Sequence, residues 1–143
     1  MIAFALLLLR LVPACPVEGA RVSSEFGMRD HPILNQRKLH RGIDLAAPKG
    51  AEVRAIWNGI VVKSKSSHGG YGRIVVIESG KRRVLYAHLS KRLVREGDAV
   101  VAGDVVGLVG SSGAATGPHL HLGIFGDGGR QVQNANFVAR ACE

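Results

Sequence analysis

The chain has 143 residues, with 19 lysines and arginines against 11 aspartates and glutamates, and a formal net charge of +8. We expect one domain with a substantial core at this length, without a separate wall-targeting module beside it. The positive charge favours anionic partners, whereas the low aromatic content and the lack of a nucleic-acid-binding motif argue against specific recognition of DNA or RNA.

The chain begins with an apolar run over residues 2–12, followed by Pro13, Ala14 and Cys15. This run is shorter than the roughly 20 apolar residues that a membrane span needs. It is typical of a secretory signal, with Val12 and Ala14 as small residues before a cleavage point. Arg10 interrupts the run and no basic residue precedes it, so an uncleaved anchor and the edge of a longer protein stay open as alternatives.

These features divide the chain into a signal or anchor segment, residues 1–14, and a single domain, residues 15–143. The two cysteines, Cys15 and Cys142, lie at opposite ends of that domain. Because domain termini often lie close together, we predict a disulfide between them in an oxidising compartment. The residues before Cys15 also weakly match a bacterial lipoprotein cleavage site, and a lipid on Cys15 would exclude the disulfide.

The rest of the chain consists of short runs rich in valine and isoleucine, separated by turns that contain glycine or aspartate. The runs are Val53–Ile56, Gly59–Lys63, Arg73–Glu78, Arg83–His88, Ala99–Val101, Val105–Val109 and Leu120–Phe125. Helical periodicity is absent after the first dozen residues, apart from a turn or two near Phe137. The close spacing of the runs predicts an all-β sandwich or barrel.

The segment from His40 to Asp44 is the first that carries metal-binding side chains. A spacing of four places these two residues on one face of a strand or of a helix. Gly42 and the Ala46-Ala47-Pro48 ending disfavour a helix, so we predict a strand. Taken alone, the segment favours a surface histidine and a turn-forming aspartate over a ligand pair.

Two later segments supply three more histidines. His119 and His121 are two apart after Pro118, so a strand would turn both to one side and Leu120 to the core. His88 follows the strand-like run that starts at Arg83. A catalytic zinc ion takes three protein ligands and keeps a water in its open position. Together the three segments therefore predict a hydrolytic zinc site, although each alone could hold ordinary strand histidines.

With these segments the chain resembles the lysostaphin-type or LytM-type zinc endopeptidases, which cut the peptide part of bacterial peptidoglycan. The resemblance covers Val22–Arg29, His31-Pro32, His40–Pro48, Gly69–Gly72, Tyr86–Leu89 and the glycine-paced stretch Gly97–His121. It implies a two-sheet antiparallel β architecture of the duplicated hybrid motif or barrel-sandwich type. In that architecture an active-site groove lies over one sheet.

The resemblance also implies the role of each site residue. It assigns one Zn²⁺ to His40, Asp44 and His121, and leaves His88 and His119 as unligated catalytic helpers. One helper would act as general base towards the water, and the other would stabilise the oxyanion or protonate the leaving amine. The sequence does not assign these two roles between them.

Two further features concern the surroundings of this site. Asn35 and Tyr71 are candidate substrate contacts. Leu122 and Gly123 stand where the family usually has an aromatic residue and a glutamate, so a carboxylate that supports the metal ligands is missing. Such partners commonly matter about 10-fold to 100-fold for metal affinity or activity.

The predicted function is hydrolysis of peptide bonds in peptidoglycan cross-links or stem peptides, for wall remodelling or lysis. The alternative is a non-catalytic peptidoglycan-binding module that activates another wall hydrolase. Loss of metal ligands marks that class, and this chain retains them all. The predicted partners are peptidoglycan and anionic wall polymers. We expect a monomer that is secreted, periplasmic or attached to the cell envelope, encoded by a bacterium or a phage.

Overall fold

The computed structural model describes residues 12–31, 36–67 and 69–143. Within these ranges the chain forms twelve strands and two 3-10 helices, which confirms the all-β prediction. The strands are β1 (Arg21–Ser24), β2 (Gly27–His31), β3 (Gln36–His40), β4 (Ile43–Ala46), β5 (Glu52–Arg54), β6 (Gly59–Ser66), β7 (Arg73–Ser79), β8 (Arg82–Arg92), β9 (Ala99–Val100), β10 (Val105–Val109), β11 (His119–Gly126) and β12 (Gln131–Gln133). The 3-10 helices are Asp127–Gly129 and Asn136–Cys142.

The strands pair antiparallel throughout the described residues. Ten of them form one sheet, whose main path runs β1-β4-β11-β8-β7-β6-β9. β12 pairs with β11, and β10 pairs with both β5 and β8. β2 and β3 form a separate two-stranded sheet. The long strand β8 pairs with β11 and β7 through its first part and with β10 through its last residues, so it joins the two halves of the large sheet.

One face of the large sheet packs into the main hydrophobic core. The largest fully buried side chains there include Tyr86, Ile43, Leu45, Leu120 and Leu122. The hydroxyl oxygen of Tyr86 accepts a hydrogen bond from the backbone N–H of Ile56 at 2.9 Å, so the one polar atom of this ring is satisfied inside the core.

The opposite face of the same sheet holds a smaller apolar cluster. Its buried members are Ile74, Val76, Leu85 and Ala87, against which Val62, Tyr71 and Phe125 pack. Burial on both faces explains why β7 and β8 contain continuous apolar runs and lack strict alternation. This second face, which we call the cleft face, also carries the candidate functional residues.

The two ends of the described domain are joined. Cys15 and Cys142 form a disulfide with their Cα atoms 4.7 Å apart, as the sequence predicts. The backbone N–H of Arg54 donates to the carbonyl of Pro16 at 2.8 Å, which also ties the N-terminal segment to β5. Within the described ranges, no helix is long and apolar enough to cross a membrane. Most of the predicted signal or anchor segment, residues 1–11, lies outside the described residues.

Candidate metal centre

Two neighbouring strands place Asp44 and His121 directly opposite each other. Asp44 on β4 is the registered partner of His121 on β11. Ile43 and Leu45 point into the main core, so the residue between them points to the cleft face. The same alternation turns Leu120 to the core and His121 to the cleft. Hydrophobic burial on one side of the sheet therefore fixes the orientation of both polar side chains on the other.

His40 reaches the same point from a different strand. It is the last residue of β3, and β4 begins three residues later at Ile43. The predicted single strand through His40 and Asp44 is therefore wrong, because the chain turns at Arg41 and Gly42. The turn still leaves the His40 Nε2 atom 3.3 Å from the Asp44 Oδ1 atom.

These three side chains can hold one metal ion. The Nδ1 atom of His121 lies 2.7 Å from Asp44 Oδ1. One donor atom from each of His40, Asp44 and His121 lies within 4.8 Å of the other two. The other ring nitrogen of His121, Nε2, is buried and has no hydrogen-bond partner among the described residues. The contact of Nδ1 with Asp44 is therefore the side-chain hydrogen bond that holds this ring in place. Two imidazoles and one carboxylate form a donor set that suits Zn²⁺.

A backbone carbonyl fixes the orientation of His40. Its Nδ1 atom lies 2.8 Å from the carbonyl oxygen of Glu25. Because a carbonyl only accepts, Nδ1 carries a proton, and Nε2 is the nitrogen that faces Asp44: it donates to the carboxylate when the ring is charged and offers a lone pair to a metal when the ring is neutral. Hydrogen bonding of the outer ring nitrogen in this way is the usual arrangement for a metal-ligating histidine.

The electrostatics of the centre favour the metal-binding form of Asp44. Burial raises the pKa of this carboxyl, but hydrogen bonds from His121 and His40 outweigh burial and hold the pKa well below its usual range. The hydrogen bond to Asp44 likewise raises the pKa of His40 above 6.5. Asp44 is therefore an anion at any physiological pH, ready to bind a cation.

His88 and His119 stand beside the three donors. Their ring centroids are 4.8 Å apart. The Nδ1 atom of His88 lies 2.8 Å from the Ser112 carbonyl oxygen, and that of His119 lies 2.8 Å from the Gly117 carbonyl oxygen. Each ring therefore donates its Nδ1 proton to the backbone and keeps Nε2 as the acceptor when the ring is neutral, and Nε2 of His119 lies 3.9 Å from Asp44 Oδ1. Burial lowers the pKa of His88, which favours its neutral form.

A β-bulge brings His88 to the cleft face. Tyr86 and Leu89 are three residues apart, yet both pack into the main core. The register between β7 and β8 shifts at this point, and His88 has a φ of 62°, in the left-handed region. A regular strand would turn His88 away from Ala87, towards the core. The bulge instead leaves both residues on the cleft face. The sequence predicts the strand but gives no signal for this irregularity.

All five predicted metal and catalytic residues line one cleft of about 850 Å³. Tyr71 lines it as well, with its ring stacked on His121 at a centroid distance of 5.5 Å. The Tyr71 carbonyl accepts the backbone N–H of His88 at 2.8 Å. Asn35, the other predicted substrate contact, lies outside the described residues. Sequence reasoning missed Ser112, whose carbonyl orients His88 and which carries no motif of its own.

The surroundings of Gly123 are tight for the carboxylate side chain that the family resemblance implies at this position, and its neighbours would have to shift to admit it. A Cβ at residue 123 would lie 3.0 Å from the Phe125 ring and 3.2 Å from the Arg41 carbonyl oxygen. The missing side chain is consistent with the unpartnered Nε2 of His121 two residues earlier on the same face.

Two histidines and a carboxylate beside uncoordinated histidines are the arrangement of a metallopeptidase centre, with three protein ligands and an open position. Residues 38–134 match Peptidase family M23, and the chain belongs to that family.

Several named relatives are similar to this chain in sequence. The chain is 50% identical over 107 residues to the DD-carboxypeptidase/endopeptidase Mpg of Neisseria meningitidis, covering 74% of this chain and 24% of that protein. It is 39% identical over 107 residues to the peptidoglycan DD-endopeptidase ShyC of Vibrio cholerae, covering 74% of this chain and 25% of the relative. The chain thus spans about a quarter of the length of these relatives.

Solved structures show the same fold. The catalytic domain of lysostaphin from Staphylococcus simulans superposes with a TM-score of 0.75 at 30% identity, covering 84% of this chain and 92% of that domain. A zinc containing peptidase from Vibrio cholerae superposes with a TM-score of 0.80 at 30% identity, covering 94% of this chain and 40% of that peptidase.

Proposed function

We propose that this chain is a zinc-dependent endopeptidase that hydrolyses peptide bonds in the cross-links or stem peptides of bacterial peptidoglycan. The observation that carries the proposal is the convergence of His40, Asp44 and His121 in a cleft that also holds two uncoordinated histidines. The relatives named as peptidoglycan endopeptidases support the substrate class. The retained donor set favours an enzyme over the non-catalytic wall-binding module.

Zn²⁺ would be held by His40 Nε2, Asp44 Oδ1 and His121 Nδ1, the atoms that face one another. When bound, zinc supplies a Lewis acid that polarises a carbonyl and lowers the pKa of water to about 7. The Glu25 carbonyl keeps His40 in the tautomer that this role needs. Tyr71, stacked on His121, restricts the ring of that ligand.

His88 and His119 would move the protons of the reaction. Each keeps Nε2 as an acceptor when the ring is neutral, because its Nδ1 proton is donated to a backbone carbonyl. One ring takes a proton from the attacking water at Nε2. The other ring, once its Nε2 has taken up a proton from solvent, donates that proton to the leaving amine or a hydrogen bond to the oxyanion, and such proton transfers contribute about 10²-fold to 10⁴-fold to rate.

The same proposal places the protein outside the cytoplasm, where peptidoglycan lies. The Cys15–Cys142 disulfide supports an oxidising compartment. Residues 1–14 would then act as a signal or anchor segment and residues 15–143 as the catalytic domain. A lipid on Cys15 would use the sulfur that the disulfide uses, so the two states exclude each other. A monomer is consistent with a site built wholly from one chain.

The test uses the full chain and purified peptidoglycan. We expect about one zinc per chain by elemental analysis and the release of soluble peptides that stops with a chelator. New amino termini, identified by mass spectrometry, would name the bond that is cut. Zinc binding with no release from any peptidoglycan type would contradict the proposal and favour the wall-binding module.

A further inference from the structure

The cleft face continues beyond the metal centre into a second cleft of about 350 Å³. Tyr71 lines both clefts, so they adjoin each other at this residue. The floor of the second cleft is apolar and is formed by Ile74, Val76, Leu85 and Phe125. We call this region the basic cleft, for the charges described below.

Strand geometry gives the distance between the two clefts. Phe125 lies four residues after His121 on β11 and points to the same face. At about 3.3 Å per residue, the floor at Phe125 is about 13 Å from the metal ligand. An extended peptide that runs along β11 with its scissile bond at the metal centre would therefore place a residue three or four positions away over this floor.

A second β-bulge puts two lysines beside the floor. The register between β6 and β7 shifts between Val61 and Lys63, so that Lys63 lies opposite Val76 and Lys65 lies opposite Ile74. Without the extra residue, the alternation from the core residue Val61 would turn both lysines towards the core. The shift turns them to the cleft face.

The lining of the basic cleft is cationic. Lys63, Lys65, Arg83 and Arg130 line it, and no acidic side chain does among the described residues. Arg83 donates to the Glu78 carboxylate at 3.1 Å, which neutralises part of its charge. The other three form no ion pair with any described carboxylate. Their combined field favours an anionic group held over an apolar surface.

We infer that the basic cleft binds a carboxylate-bearing residue of the peptide substrate, distal to the scissile bond. This inference rests on the proposed function. Lys63, Lys65 and Arg130 bind the free carboxylate, and the apolar floor packs against the aliphatic part of the same residue. An apolar floor favours an acidic peptide over a phosphate polymer, because a sugar-phosphate or glycerol-phosphate chain offers little apolar surface for it to cover.

The test compares two stem-peptide dimers, one with free carboxylates and one with the same carboxylates amidated. Binding is measured by calorimetry on the zinc-loaded His88→Ala chain, so that the peptide stays intact. We expect the free-carboxylate dimer to bind about tenfold tighter, as charge-assisted hydrogen bonds predict. In this background, Lys63→Gln with Lys65→Gln should remove the preference without weakening binding of the amidated dimer. Arg130→Gln alone should reduce the preference for the free-carboxylate dimer.

A charge-matched control separates local binding from the general positive charge. Lys49→Gln with Lys81→Gln removes the same charge from exposed positions outside both clefts, and we expect the preference to remain. Equal binding of the two dimers, or equal loss of preference in the control, would overturn the inference. Displacement by a poly(glycerol phosphate) without any preference between the dimers would assign the cleft to phosphate polymers and would also overturn it.

The inference and the proposed function fail separately. Cleavage of the amidated dimer by the unmodified chain tests the endopeptidase alone, since that peptide lacks the carboxylates. A chain that prefers the free-carboxylate dimer but cleaves neither dimer would refute the proposed endopeptidase function and support carboxylate binding by the basic cleft. A chain that cleaves both and binds them equally would support the endopeptidase and refute the cleft.

Discussion

The ring of His121 lies against the α-carbon of Gly42. A Cβ added at residue 42 would lie 2.8 Å from Cε1 and 2.9 Å from Nε2 of that ring, and would overlap the Leu122 carbonyl oxygen. The turn between His40 and Asp44 therefore approaches β11 as closely as glycine alone allows, and this approach holds all three donors together.

Gly42→Ala should consequently damage the metal centre without changing any ligand. The methyl group must displace either the His121 ring or the β11 backbone, and we expect a loss of about 1–3 kcal/mol in the free energy of unfolding. Zinc affinity should fall as well. Titration with a competing chelator measures that affinity, and Gly117→Ala, which meets open space, is the control. Unchanged zinc affinity in Gly42→Ala would contradict this account.

Removal of a metal donor should abolish both zinc retention and catalysis. His40→Ala, Asp44→Ala and His121→Ala each leave two of the three protein donors. We expect zinc, measured by elemental analysis after dialysis, to fall from about one per chain to a small fraction, since three ligands define a catalytic zinc site. Peptide release should fall to background. A variant that keeps full zinc and full activity would remove that residue from the metal centre.

Loss of His88 or His119 should separate catalysis from metal binding. Neither His88→Ala nor His119→Ala removes a donor of the metal centre, so each variant should retain about one zinc per chain. The rate constant kcat should fall by about 10²-fold to 10⁴-fold, the usual contribution of a general acid or base. Elemental analysis and steady-state kinetics on the same preparation measure both. Zinc loss in either variant would assign that histidine to the metal.

The pH dependence should reflect the burial of His88. Burial lowers the pKa of this ring below 6.5, and the positive charge of bound zinc acts in the same direction. If His88 is the base, it acts when neutral, and activity is lost as the pH falls through its pKa. The acidic limb of kcat/KM against pH should therefore have a midpoint below 6.5. A midpoint above 6.5 would argue against His88 as the base.

Removal of the disulfide should lower stability more than activity. The Cys15–Cys142 bond closes a loop with a sequence separation of 127, and loops of this size gain most from a cross-link. Cys15→Ser with Cys142→Ser should lower the free energy of unfolding by about 2–5 kcal/mol, measured by urea denaturation. The folded variant should keep its zinc, because neither cysteine lies in the metal centre. A shift below about 0.5 kcal/mol would show that packing alone holds the ends together.

The regular parts of the fold could be predicted from the sequence. Val105–Val109 is a strand with the predicted bounds, and the pattern of His119, Leu120 and His121 correctly separates the cleft face from the core. The alternation of apolar and polar residues predicts both the strand and its two faces, because hydrophobic burial decides which side chains face the core. The strand predicted over Val53–Ile56 ends earlier, at Arg54. The strands β2 and β3 are not predicted, because their polar sequences lack the apolar alternation that indicates a strand.

The irregular parts could not be predicted. The bulges at His88 and near Val62 depend on which register two strands adopt, and neither site contains the glycine that often marks a bulge. The contact between Asp44 and His121, which are 77 residues apart, is within reach of the family resemblance, although local periodicity alone gives no signal for it. Such placements result from the packing of the whole sheet, whereas the sequence pattern reports only local periodicity.

The disulfide also makes the described domain a covalently closed ring. Cys15 and Cys142 lie near the two ends of the described chain, so a single backbone cut at any point between them leaves the two fragments joined through sulfur. Sheet hydrogen bonds on both sides of the cut can then keep the fragments in place. A nick that would separate an unlinked chain into two pieces would in this way leave this one a single covalent unit.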